Sequence, residues 1–371
     1  MNDSDSRGLM KSQYLSLMAR RVGMCIVLLL GVVLFAGLFS VSSYNGVSLL
    51  ESYGYIWDHI TGVTYPLRSP EWWADYYIWN TSLPRVFVAI LAGMGLAVCG
   101  TIMQAIMNNP LADPYATGIS SGACLGAVAA IISGISFSTI VGEMGIVTNA
   151  FIGALIPAFI IIAVARRIGS SPATLILLGT AISYFFNALV TLIMVSSDPA
   201  ALQDAYLWQV GSLSGMSWED LPVMAVATVL SAAFSLSVAR QMNVLSVGDK
   251  GARSLGIDVG KFRMICLVVV SLLTAAIVSY VGIIGFVGLV APHIVRIVAG
   301  SDNKFVIPLS MLTGALLMLI ADYMALSVTV TADIPVGVIM SMIGSPIFFL
   351  LIVFNRRGYG RLYRWHSPAS P

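Results

Sequence analysis

Ten apolar stretches recur along the chain, at 22–41, 83–107, 116–134, 146–165, 173–195, 221–239, 263–281, 283–299, 306–325 and 335–354. Each approaches the roughly 20 residues that a helix needs to cross the hydrocarbon core of a bilayer. Polar and charged positions gather between them, so the pattern predicts ten membrane-spanning helices and an all-α polytopic fold. The eighth stretch is the least regular, because Gly282, Gly285, Gly288 and Pro292 interrupt it. The first follows Arg20 and Arg21. It is longer than the core of a secretory signal and lacks a small-x-small cleavage site, so it reads as an uncleaved span behind a polar, mobile tail. The organisation expected is a cytoplasmic tail at 1–21, one transmembrane domain at 22–355 and a second cytoplasmic tail at 356–371.

Basic residues orient the spans. With both termini inside, 17 of the 19 lysines and arginines fall on the cytoplasmic side and only Arg68 and Arg85 fall outside. Acidic residues gather on the outer face, among them Glu51, Asp58, Glu71, Asp75, Asp204 and Glu219. The longest external segment, 42–82, is rich in Tyr and Trp. At that density aromatics suit either an anchor at headgroup level or a docking surface for a partner. The longest cytoplasmic loop is 240–263.

Composition agrees with the pattern: 58% of residues are hydrophobic, 10% are charged, and the mean hydropathy is +0.91. A net charge of +2 with scattered basic residues leaves no footprint for nucleic acid. Cys25, Cys99, Cys124 and Cys266 lie inside apolar runs without a C-x-x-C pair, and the three histidines are far apart, so no metal site is expected.

Several polar stretches carry candidate chemistry. The run NNPLADPYATGISSG, 108–122, sits between two spans with two prolines, one carboxylate and no basic residue. Its Gly118-Ile-Ser-Ser-Gly122 fits the nucleophile-elbow pattern, but that device needs a strand-to-helix turn and a histidine partner. With Gly126, the same glycines fit small-xxx-small spacing and close helix packing instead. No G-x-x-x-x-G-K-[ST] occurs, so ATP would have to be hydrolysed on another subunit. Ion-coupled carriers place ionisable groups in their spans. Here Asp322 is the one acidic residue within a span, with Asp333 at an outer boundary. In the loop LSVGDKGARSLGIDVGKFR two glycines bracket a short turn, in which Ala252 and Leu255 are expected to share a face.

The blocks SLPRVFVAILAGMGLAVCGTIMQAIMNNPLADPYATGISSGA, VGDKGARSLGI, GIIGFVGLVAPHIVRIVAG and ADIPVGVIMSMIGSPIFF, in this order and spacing, resemble the FecCD/cobalamin-permease family. These are permease subunits of binding-protein-dependent ABC importers for ferric siderophores, haem and cobalamin. The resemblance implies a homodimer with its path on the two-fold axis, two ATP-binding cassette subunits carrying ATP and Mg on the cytoplasmic side, and a binding protein outside. It implies no cofactor on this chain, and a place in the prokaryotic plasma membrane. It assigns a cytoplasmic gate to Asn109, Pro110 and Leu111 with Ser171 and Pro172, and coupling to the ATPase to Gly248, Asp249, Ala252, Arg253, Leu255 and Gly256. Family members carry arginines for docking the binding protein where this chain has Ser82 and Leu326. Arg85 is the basic residue left for that role, unless the acidic outer face pairs differently. An ion-coupled secondary transporter and a membrane-embedded enzyme are the readings from other classes.

Overall fold

The computed structural model describes residues 3–43, 47–135, 142–328 and 334–362. Asp333 lies outside them. Among the described residues the regular structure is helical throughout. Among these residues seven helices are long and apolar enough to span a bilayer, and three shorter apolar helices bring the number to the ten expected: Ile119–Ser133, Val287–Ala299 and Val336–Leu351.

In chain order the helices are α1 (Asp3–Ser43), α2 (Leu49–Thr61), α3 (Pro70–Tyr77), α4 (Leu83–Ile106), α5 (Ile119–Ser133), α6 (Glu143–Ile168), α7 (Pro172–Val195) and α8 (Pro199–Val210). They continue with α9 (Leu221–Ser237), α10 (Ala239–Leu245), α11 (Asp249–Ser254), α12 (Val259–Val281), α13 (Val287–Ala299), α14 (Asn303–Val328) and α15 (Val336–Leu362). The helices run beyond the expected spans at both ends. The amino-terminal tail is helical from Asp3, and α15 continues to Leu362, past the expected start of the second tail.

The core is organised around α4, which is buried over most of its length and packs against α9, α12, α13 and α14. A helix apolar on every side has no solvent face to keep. In lipid, close approach rather than hydrophobicity joins helices, and small residues permit it. A methyl group at Gly100 of α4 would overlap the carbonyl of Gly288 in α13. Gly122 and Gly126 of α5 likewise meet the backbone of Gly153 and Asn149 in α6, as their spacing implied. Gly118 does something else: it adopts φ 77° and starts α5. Near the outer end of α4, Arg85 meets Asp322 of α14 inside this packing.

Two spans fall short as helices. α5 has 15 residues and α13 has 13, so at 1.5 Å per residue each covers only about 20 Å of a hydrocarbon core of about 30 Å. The irregular segments 107–118 and 282–286 make up the difference. Non-helical backbone is tolerated at that depth only against protein or a water-filled path. Here the two segments meet, the Tyr115 hydroxyl donating to the Ile284 carbonyl at 3.0 Å.

The external segment folds onto itself. His59 Nδ1 lies 2.8 Å from Asp75, and its ring stacks on Trp79 at 3.9 Å. The Trp79 carbonyl accepts from Trp218 Nε1 at 2.9 Å, which ties α2 and α3 to the loop before α9. Tyr65 donates to Asp58 at 2.6 Å, and that bond holds the phenol's proton well above its usual pKa. Trp57 and Tyr76 remain exposed.

Candidate gate and coupling site

α4 ends because Pro110 cannot donate to the helical ladder and Asn108 takes a left-handed φ of 46°. Asn109 stabilises the turn that follows, its side-chain oxygen accepting from the Leu111 amide at 2.9 Å. Asp113 repeats the device on the Tyr115 amide at 2.8 Å. Leu111 is thereby pushed outward, 48% exposed, although it is a large apolar side chain at the inner end of a span.

Of the five expected gate residues, Asn109 and Leu111 line a common cleft. A cleft of about 210 Å³ separates Asn109 and Leu111 from Leu175 and Ile176 in the first turn of α7. Ser171 and Pro172 do not line this cleft. Ser171 caps α7 by accepting from the Thr174 amide at 3.2 Å, and Pro172 occupies the first helical position, where it needs no donor.

The expected coupling segment is α11 with its flanks. Gly248 at φ 93° and Gly256 at φ 84° make the two sharp bends that let a six-residue helix turn out of the loop and back. The Ile257 amide closes the far end on the Ala252 carbonyl at 3.1 Å. One expectation is corrected: Ala252 is fully buried whereas Leu255 is 65% exposed. Leu255 follows the helix rather than continuing it, so three-residue spacing does not place the two on one face. Leu255, Val247 and Arg253 form the outward surface, and Ala252 seats the helix on the body of the protein.

What joins these parts is a residue the sequence reading assigned only to the basic loop. Arg263, in the first turns of α12, is 2% exposed. Its Nη2 and Nη1 donate to the Asp249 carboxylate at 2.9 and 3.2 Å. Nη1 also reaches the Ser170 carbonyl at 2.8 Å, and Nε the Ile106 carbonyl at 2.8 Å. One planar fork therefore holds the start of α11, the turn before α7 and the end of α4. Asp249 is partly exposed, and hydrogen bonding from Arg263 holds its carboxyl below the usual carboxylate range. The available signal was an arginine embedded at the inner end of an apolar run, which is costly without partners.

Arg85, expected to dock the binding protein, is turned inward. It is 8% exposed, and its Nη2 and Nε hold both oxygens of Asp322 at 2.8 and 3.0 Å. A guanidinium engaged inside the protein is not presented to a docking partner. Ser82 is buried as well, with its hydroxyl on the Tyr77 carbonyl.

A further surface is polar where a span would be apolar. α7 is mostly exposed, yet Thr180, Tyr184, Asn187 and Thr191 recur on one side of it at spacings that align on a helix. Thr180 and Thr191 satisfy their own hydroxyls on carbonyls one turn back. The Tyr184 ring, 73% exposed, and the Asn187 amide face outward. A polar stripe of this kind fits water or another subunit better than lipid tails.

The chain is similar to known proteins over most of its length. The sequence model of the FecCD transport family matches residues 25–354. The cobalamin import system permease protein BtuC of Halobacterium salinarum is 39% identical over 280 residues, covering 75% of this chain and 74% of that protein. The hemin transport system permease protein HmuU of Yersinia pestis is 38% identical over 284 residues, covering 76% and 85%. A solved metal-chelate type ABC transporter in an inward-facing conformation superposes with a TM-score of 0.75 at 28% identity, over 90% of this chain and 98% of that one.

Proposed function

The chain belongs to the FecCD transport family of plasma-membrane permeases, and on that footing we propose that it is the permease subunit of an ABC importer carrying an iron-siderophore-type chelate into the cytoplasm. Cobalamin and haem are the alternative cargoes, and the similarity to BtuC and to HmuU, 39% and 38%, does not rank them. The observation that carries the mechanism is the Arg263 fork. It supports a reading in which an exposed helix built to contact a partner is mechanically continuous with the segment that closes the path.

In this reading two copies of the chain face each other across the α7 stripe, and the cargo passes between them. An ATPase dimer, holding ATP and Mg, seats α11 through Leu255, Val247 and Arg253. Its closure moves α11, and Arg263 carries that displacement to the ends of α4 and α7, so that Asn109, Pro110 and Leu111 part from their counterparts. The chain supplies an element with two arrangements and ATP supplies the bias. With Arg85 and Ser82 buried, the binding protein would dock on the acidic outer face, which includes exposed Asp204 and Glu219. An ion-coupled carrier is disfavoured because Asp322, the ionisable group within a span that such a cycle would use, is committed to Arg85.

The test is uptake of iron-labelled siderophore by liposomes holding this chain with its ATPase and loaded binding protein. Uptake that needs ATP supports the proposal. Uptake by the chain alone on an ion gradient overturns it, and ATP-driven uptake of cobalamin or haem in preference to siderophore replaces the cargo.

A further inference from the structure

Between the inner ends of α6 and α12 lies a groove of about 480 Å³ that the transport mechanism does not use. Its walls are apolar, with Ile162 on α6 facing Met264, Ile265 and Val268 on α12. Its mouth is basic, one cation from each wall: Arg166 from the last turn of α6 and Lys261 from the first of α12. Both side chains are exposed, and among the described residues neither is engaged in a hydrogen bond or ion pair. The Asp258 carboxylate caps α12, accepting from the Lys261 amide at 3.1 Å. At Gly260 the atoms nearest to an added methyl would be Asp258 Oδ1 and Ser170 Oγ, each 3.6 Å away.

We propose that this groove binds an anionic phospholipid of the cytoplasmic leaflet, with the headgroup phosphate between Arg166 and Lys261 and the start of an acyl chain along Met264, Ile265 and Val268. Three properties converge on that occupant. The cations lie on the side that basic residues mark as cytoplasmic, at the ends of spans, where headgroups lie. The apolar walls run from them toward the hydrocarbon, which a free phosphate could not use. The volume exceeds a phosphate several times over and falls in the usual range for small-molecule sites. The groove also includes Ser170, whose carbonyl is one of the groups held by Arg263. A bound lipid would brace the turn before α7 against α12, and so favour coupled transport.

The experiment is native mass spectrometry of the full chain, delipidated in detergent and supplied with phosphatidylglycerol, phosphatidylcholine or inorganic phosphate. Phosphatidylglycerol is expected to remain bound in preference to phosphatidylcholine. The double variant Arg166→Gln/Lys261→Gln should lose that retention by roughly tenfold or more, while Lys304→Gln, an exposed cytoplasmic cation away from the groove, should keep it. Met264→Trp fills the groove with the charges intact and should lose it too, so the claim stays testable if the double variant does not fold. Equal retention of both lipids, undiminished phosphatidylglycerol in both groove variants, or equal binding of inorganic phosphate would each overturn the proposal. So would loss of ATPase co-purification in the double variant with its lipid retained, which would assign the cations to the partner subunit. Binding is read without transport, so failure here is distinct from failure of the importer reading.

Discussion

Arg263 grips Asp249 with two nitrogens, at 2.9 and 3.2 Å, from a position almost closed to solvent. Because the same guanidinium reaches the carbonyls of Ile106 and Ser170, removing it frees three segments at once. Arg263→Gln is expected to leave ATPase activity in the assembled complex while transport per ATP falls roughly tenfold, the factor that 1.4 kcal/mol represents. Lysine should rescue little, since an ammonium cannot reproduce the planar fork. Parallel assays of phosphate release and uptake check this, and an unchanged ratio would count against the linkage.

The same pair fixes an expected pH response. Arg263 lowers the native pKa of Asp249 by hydrogen bonding and then by charge. A lowered native value means that the contribution is complete above the free carboxylate's pKa of about 3.9 and fades as the pH falls through the native one. Attachment of α11, read by protease cleavage of the loop at 240–263, should therefore not titrate between about pH 5 and 8. A transition in that window that Asp249→Asn abolished would contradict the assignment.

Arg85 and Asp322 form a pair whose carboxylate is fully buried. Arg85→Met leaves that carboxylate without its cation and should cost about 3–5 kcal/mol, whereas Arg85→Met/Asp322→Leu should recover most of the loss. Thermal unfolding of both variants in detergent measures the difference. If the single variant lost less than the double, the pair would not be the source.

At Gly100 even one methyl group would meet the Gly288 backbone, which cannot rotate away. Gly100→Ala should therefore lower the unfolding temperature and separate α4 from α13. Gly23→Ala, in open surroundings on α1, is expected to be neutral or to gain up to about 1 kcal/mol from helix propensity. The same unfolding assay reads both.

The gate assignment comes from the family resemblance, and the structure adds an exposed Leu111 and a bond from Tyr115 that steadies its loop. Leu111→Ala should raise passive leak of a trapped chelate from liposomes several-fold without loss of folding. Tyr115→Phe should raise it less, since the net worth of one hydrogen bond is about 1 kcal/mol. A leak unchanged in both variants would move the gate elsewhere.

Most of the architecture was legible as pattern, because an apolar run of about 20 residues has few other uses and the bias of basic residues fixes its direction. The bracketing glycines placed α11, and the prolines placed the break after α4. What escaped depended on contacts between distant segments. Nothing local to Arg85 announces Asp322, 237 residues away. Nothing near Arg263 names Ile106 as its acceptor. Ala252 and Leu255 misled for a smaller reason: face-sharing assumes a helix that continues, and this one stops between them.

The crossing of Gly100 and Gly288 puts bare backbone against bare backbone. No side chain stands between the two helices there, so backbone alone sets how close they come. A few residues further along, Gln104 of α4 spans the same pair, donating to the Leu289 carbonyl and accepting from Arg296 of α13. The crossing is therefore pinned twice, once by the absence of side chains and once by their bonds.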